Sequence, residues 1–593
     1  MPDNRTVFEK ECAKLEGKYA EKVRLQKLID LHWNYVLAEN PEWATSLGVE
    51  GYDERWTDRS VEAIERRKRE IDAPWKVLKT IRRSTLSPAD ALNYDLLLRR
   101  YEQEREGREF PEEYLPISQM WGVQNEIPQT LGIMRRETVA QYQTILKRME
   151  AIGPALDQVI VLLDLGLANQ VTYPKIAMEK ALAQVEALLA APYDKNALVE
   201  PFRELPEGFT AEQKISLSTQ AAQAFEAHAK PAFTRLRDKL LAYVPQCREQ
   251  IGWAAMPNGE KWYAYKAKAS TTTSLTPQEI HEIGLKEVAR LSQEMAEARK
   301  KTDYLGLPEG FDAHLRMNPR FYFTRASELI DGYQALTKRI DAQLPRFFRR
   351  LPQLSYGVAA IPDYAAPSQP TAYYMPGSLP GARAGLFYAN TYDLGSRPKW
   401  EMEALALHEA VPGHHLQIAI AQELEGLPEF RKNEMYNAYV EGWALYAETL
   451  GREMGFYEDP YSEYGRLTYE MWRSIRLVVD TGMHALGWTR EQALDYFRKY
   501  TGKSDHEIAQ EVDRYLVFPG QALGYKIGHL KILELRAHNQ KVLGDKFDVR
   551  DFHDAVLKHG ALPLDVLEKL VKASEAPPAK GRSSSPRSLG SSE

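Results

Sequence analysis

The chain has 593 residues, 44% of them hydrophobic, enough for one large body or up to about four ordinary domains. Lys and Arg number 77 against 83 Asp and Glu, a net charge of −6 with no basic block except a short tail, which excludes the concentrated positive face that nucleic acid needs. Its two cysteines, Cys12 and Cys247, lie far apart and form no CxxC pattern, so a disulfide framework and a thiolate metal site are excluded too.

The opening "MPDNRTVFEKECAKLEGKYAEKV" carries charges throughout and has no apolar core of a signal peptide. No stretch reads as the roughly 20 apolar residues of a transmembrane segment. The expected address is therefore cytoplasmic, although a processed form of an exported protein would read the same. Residues 1–20 read as an N-terminal extension, and 21–573 as one continuous helical domain. "EKVRLQKLIDLHWNYVLAENP" places Val23, Leu25, Leu28, Ile29, Leu31, His32 and Tyr35 near one helical stripe and stops at Pro41. Similar periodicity recurs to about residue 245, with short connectors and no fixed-period repeat, so a solenoid is not indicated.

The texture changes between about 353 and 398. "QLSYGVAAIPDYAAPSQPTAYYMPGSLPGARAGLFYANTYDLGSRP" is rich in Pro, Gly and Tyr with short apolar alternations, which predicts a small sheet with loops. Helices are expected to resume over about 399–455 and onward to Ala573. The Ser/Pro-rich residues 574–593 have almost nothing to bury and are expected to be disordered. The fold class is mostly α, with one small sheet beside a candidate site.

That site is "HEAVPGHH", residues 408–415. In a regular helix, histidines at i and i+4 can reach one ion, but here i+4 is Pro412. On a straight helix His414 would sit about 240° round from His408, and His415 about 10.5 Å further along the axis. Zinc–nitrogen bonds of about 2.0–2.1 Å cannot span that rise. Pro412 must break the ladder, and Gly413 can take unusual backbone angles, so a two-residue bulge would bring His414 to the metal. His415 then points away or supports from behind. Further on, "MYNAYVEGWALYAETLGREMG" is a strongly patterned helix with Glu441 and Glu448 among apolar residues, where a carboxylate is costly unless paired or bound to a cation. His408, His414 and Glu441 thus make a three-ligand site for one Zn²⁺ with an open position, and Glu409 is placed as general base.

Taken together, "HEAVPGHHLQ", "YVEGWALYAE", "PGARAGLFYAN", "RLVVDTGMH" and "FPGQALGYKIG" resemble the bacterial domain-of-unknown-function family 885, placed among gluzincin-like metallopeptidases, over roughly residues 20–570. The resemblance implies a helical zincin-like fold around a deep cleft. It is in keeping with His414 as the second ligand, and it leaves the substrate open.

Supporting residues follow from helix spacing. Arg476, Asp480 and His484 fall at successive i+4 steps, so Asp480 is expected to orient His484 toward an oxyanion. Tyr525 is a second candidate for that role, with Lys526 and His529 weaker ones. "GARAGLFYAN" reads as an edge strand that pairs with an extended peptide, and Arg383 as a clamp on its carboxylate. The expected function is zinc-dependent cleavage of peptide bonds, with a peptide or small amide as substrate. A non-peptide amidohydrolase and a non-catalytic helical scaffold retaining a zinc site are the alternatives.

Overall fold

Periodic segments fold as helices in the computed structural model, which describes residues 5–362, 366, 369–378 and 383–574. Helix starts follow local chemistry: Thr276 accepts from the Glu279 N–H while Glu279 accepts from Thr276, opening Pro277–Lys300 with a reciprocal cap. The elements that position the site are α1 (Gly259–Thr271), α2 (Pro277–Lys300), the strands β1 (Tyr356–Ala360), β2 (Ala372–Met375) and β3 (Gly385–Ala389), then α3 (Met402–Glu409), α4 (His414–Gln422), α5 (Asn437–Leu450), α6 (Pro460–Ala485), α7 (Asp505–Val517) and α8 (Leu523–Leu543). Mostly α with one small sheet is the class the sequence predicts.

Two large apolar cores lie on either side of α6. Its Val478 and Val479 enter one, with Ile145, Leu156, Phe233 and Trp262. Leu477 enters the other, with Phe387, Leu407, Trp443 and Ile532. The predicted N-terminal extension is not separate: Phe8, Cys12 and Leu15 pack with Leu25, Leu28, Leu78 and Leu97, so the body includes the helix Val7–Lys14. The predicted tail from 575 onward lies outside the described residues. One stretch, Val139–Ala168, is long and apolar enough to cross a membrane by length and composition alone. Here it folds as two helices whose Ile145, Leu156, Val159 and Leu163 belong to the first core.

The sheet order is β1-β3-β2, with β3 parallel to β1 and antiparallel to β2. The expectation that "GARAGLFYAN" forms an edge strand is therefore wrong: β3 is central. Its alternation buries Gly385, Phe387 and Ala389 on one face, and Gly385 lets the Tyr374 ring of β2 lie across it. The edges are β1 and β2.

α5 and α8 cross in backbone contact. A Cβ on Gly528 would lie 1.7 Å from the Ala438 carbonyl oxygen, and one on Gly442 would lie 2.5 Å from the Gly528 carbonyl carbon. Each helix carries site residues beside its glycine, so the crossing sets their spacing. Gly528→Ala should destabilise by at least the ~1–3 kcal/mol of overpacking, seen as a lower thermal midpoint by calorimetry. An unchanged midpoint would mean that the crossing relaxes freely.

Candidate metal centre

The chain does not bulge within one helix at the Pro-Gly pair; it stops and starts again. α3 ends at Glu409, residues 410–413 turn with a cis Val411–Pro412 peptide, and α4 begins at His414. Pro412 has no N–H to continue the ladder, so the His415 N–H reaches back five residues to the Ala410 carbonyl at 3.0 Å. Gly413 is required by space: a Cβ there would sit 1.9 Å from the His408 carbonyl oxygen. The buried Trp443 of α5 donates from Nε1 to the Pro412 carbonyl at 2.8 Å and holds the turn from the other side.

That break turns His414 back toward His408, with their ring centroids 4.7 Å apart and nearly perpendicular. The Nε2 atoms of His408 and His414 lie 3.6 and 3.5 Å from the same Glu441 oxygen, Oε2. Those separations are long for hydrogen bonds, and Oε2 is buried with no hydrogen-bond partner among the described residues. They suit a cation instead, because two ligands at about 2.0–2.1 Å in a tetrahedron stand roughly 3.3 Å apart. A ligand atom from each of His408, His414 and Glu441 lies within 4.8 Å of the others.

α5 organises this centre along one face. Glu441 joins the donors and Glu448, two turns on, accepts from His408 Nδ1 at 2.7 Å, which holds the ring with Nε2 facing Glu441. Burial opposes charge on His408, but the Glu441 and Glu448 carboxylates outweigh it and lift the imidazole to about 9. Burial alone would raise Glu441, and the two histidines hold it well below the usual carboxylate range. Glu409 lies beside His408, nearly buried, and has no hydrogen-bond or ion-pair partner among the described residues.

Other expected residues divide into those that support the centre and those that do not. His415 turns away, as expected: it is held between the Leu354 carbonyl at 3.1 Å and the Tyr374 hydroxyl at 2.8 Å, and pins the sheet to α4. Burial pushes it down to about 4. Tyr525 on α8 is half-buried, its phenol is raised first by burial and then by the Glu441 carboxylate, and it follows Gly524, which packs on Ala438 one turn before Glu441. Sequence reasoning missed Arg473, buried on α6 with Nη2 3.5 Å from Glu448 Oε1. An arginine at the head of the apolar run "RSIRLVV" is the signal that could have found it.

The expected Arg476–Asp480–His484 ladder is not formed. The three share a face of α6, but elements packed over that face supply other partners. Asp480 accepts from the Tyr263 hydroxyl at 2.6 Å and the Gly520 N–H at 3.0 Å, and burial pushes it up to about 7. His484 accepts at Nδ1 from the Trp253 N–H (3.2 Å) and donates from Nε2 to the Tyr515 carbonyl (2.9 Å). With both nitrogens taken, it has no N–H left for an oxyanion. Arg383 is also not a clamp on the centre: it is exposed on the hairpin between β2 and β3 and donates to the Pro376 carbonyl. Lys526 is fully buried against Glu470 (2.7 Å) and Glu287 (2.9 Å), and His529 against Thr449, so both join α2, α5, α6 and α8 rather than face the donors.

A family model for bacterial proteins of unknown function, DUF885, matches residues 41–571. The chain belongs to that family. A crystal structure from Colwellia psychrerythraea, of a protein provisionally named a lipoprotein, is similar at 29% identity and a TM-score of 0.89, covering 94% of this chain and 99% of that one. Another, from Shewanella oneidensis and also provisionally named a lipoprotein, of unknown function, is 17% identical with a TM-score of 0.72 over 92% of this chain and 99% of that one, which shows the shared fold alone. No curated protein matches this DUF885 member.

Proposed function

We propose that this DUF885 protein is a zinc-dependent hydrolase that cleaves amide bonds in short peptides. The observation that carries the reading is the convergence of His408 Nε2 and His414 Nε2 on one buried, hydrogen-bond-free Glu441 oxygen. When bound, the ion supplies Lewis acidity toward the scissile carbonyl and the attacking water. Glu448 holds the His408 tautomer, and Arg473 lies against Glu448 on its far side. Glu409, next to a ligand but spending its carboxylate on no partner, takes a proton from the water as its oxygen adds to the carbonyl carbon. That proton then goes to the amide nitrogen as the C–N bond breaks, leaving a carboxylate and an amine. With both ring nitrogens of His484 taken, Tyr525 is our candidate to donate to the oxyanion.

For location we favour the exported form over the cytoplasmic one, on the ground that two similar solved structures are provisionally named as lipoproteins.

Metal content tests the ligand set. His414→Ala should lose stoichiometric zinc by mass spectrometry, whereas His415→Ala should retain it. Zinc retained in the first, or lost only in the second, would reverse the assignment. A purified parent protein that takes up no zinc would instead favour a helical scaffold.

A further inference from the structure

Two arginines, Arg476 on α6 and Arg514 on α7, carry unfilled hydrogen bonds. The Arg476 guanidinium carbon sits 4.4 Å from the centre of the Tyr525 ring, and Tyr525 follows Gly524, which lies against Asn437 and Ala438 of α5, one turn before Glu441. Glu511 occupies Nε and Nη2 of Arg476 at 2.8 and 2.6 Å, but Nη1 is buried without a partner among the described residues. Arg514 gives Nη2 to Gln521 at 2.8 Å, and its Nε is likewise buried without a hydrogen-bond partner. Two guanidiniums thus share one close carboxylate, Glu511. Asp480, a turn further along α6, is taken up by Tyr263 and Gly520.

An arginine cannot shed its proton to escape burial, and each unanswered N–H costs about as much as a lost hydrogen bond. Such a cluster is poised for an incoming anion, and its planar forks match a carboxylate. Arg514, Glu511, Gln521 and Tyr525 are only half-buried, so the pair is not sealed from solvent. Resting on the peptidase reading, we propose that Arg476 and Arg514 form a carboxylate-recognition site, so that the substrates are short peptides with a free C-terminal carboxylate, cleaved close to that end. This moves the carboxylate clamp from the expected Arg383 to Arg476 and Arg514, with Arg476 against the Tyr525 ring.

The test uses N-acetylated tetrapeptides pooled by C-terminal residue, supplied both as free acids and as C-terminal amides, with the zinc-loaded full chain. Products are identified by mass spectrometry. Wild type should prefer the acids by roughly 10- to 100-fold, the range expected for hydrogen bonds to a charged group. Arg476→Gln should bring the acid-to-amide ratio close to one, mainly through KM, which a purely structural role would not do. Arg514→Gln serves as a second variant should the first fail to fold. Equal cleavage of acids and amides by wild type, or a ratio unchanged in a folded variant, overturns the proposal. Where neither form is cleaved, calorimetric binding of the same pools separates the two readings: acid-selective binding lost in Arg476→Gln keeps the site and removes the peptidase reading, and no selective binding removes the site.

Discussion

Glu409→Gln should lower turnover by about 10²–10⁴-fold while leaving metal content and thermal stability as in the parent. The amide matches the carboxylate in size, and Glu409 has no hydrogen-bond or ion-pair partner among the described residues that the substitution could break. It is not among the three converging donors, so the ion loses nothing. What disappears is a group able to accept a proton from water and pass it to the leaving nitrogen. The measurement pairs steady-state hydrolysis of a substrate found by peptide screening with zinc stoichiometry on the same sample. A metal-loaded variant of near-normal activity would be fatal to the proposed mechanism. A variant that lost zinc would move Glu409 into the ligand set.

The donor set was legible because its chemistry leaves a local trace. A carboxylate on an apolar helix is costly unless paired or bound to a cation, and a Pro-Gly interruption after a His-Glu pair must break the helix just where a second histidine follows. The sheet was legible from its composition, and its three strands fall within the expected span of about 353–398. What sequence could not supply was the neighbours. Asp480 and His484 do share a helix face, yet Trp253, Tyr263, Tyr515 and Gly520 reach them from segments distant in sequence, and tertiary packing decides which partner wins. The edge-strand error has the same origin: "GLFYA" alternates as any half-buried strand does, and only the positions of β1 and β2 make it central. The Pro-Gly pair was read correctly as a break but too conservatively. A bulge keeps one helix, whereas the chain uses residues 410–413 to end one helix and aim another.

Gly413→Ala follows from that difference. A methyl group at 413 would lie 1.9 Å from the His408 carbonyl oxygen and 2.4 Å from that of Leu407, both backbone atoms that cannot swing aside. The turn must open, and it can do so only by pulling against the Trp443 hydrogen bond to Pro412 or by displacing the start of α4. His414 is the next residue, so its imidazole moves with the turn. Ligand geometry tolerates displacements of about 0.2 Å in bond length, less than any relief of this clash requires. Zinc affinity in a chelator competition should therefore fall by roughly 10- to 100-fold, as it does when a ligand loses its orienting contact. Helical content by circular dichroism should hold, because α3 and α4 are each anchored in the second core by Leu405, Leu407, Leu416 and Ile420. Joining Pro412→Ala to it removes the ring clash and favours one continuous helix, since proline costs about 3 kcal/mol in a helix interior relative to alanine. That double variant should be equally or more helical and bind zinc still more weakly, with His414 carried round to the far side of the helix. If Gly413→Ala holds zinc as tightly as the parent, the turn is not what positions His414, and the second ligand must be sought elsewhere.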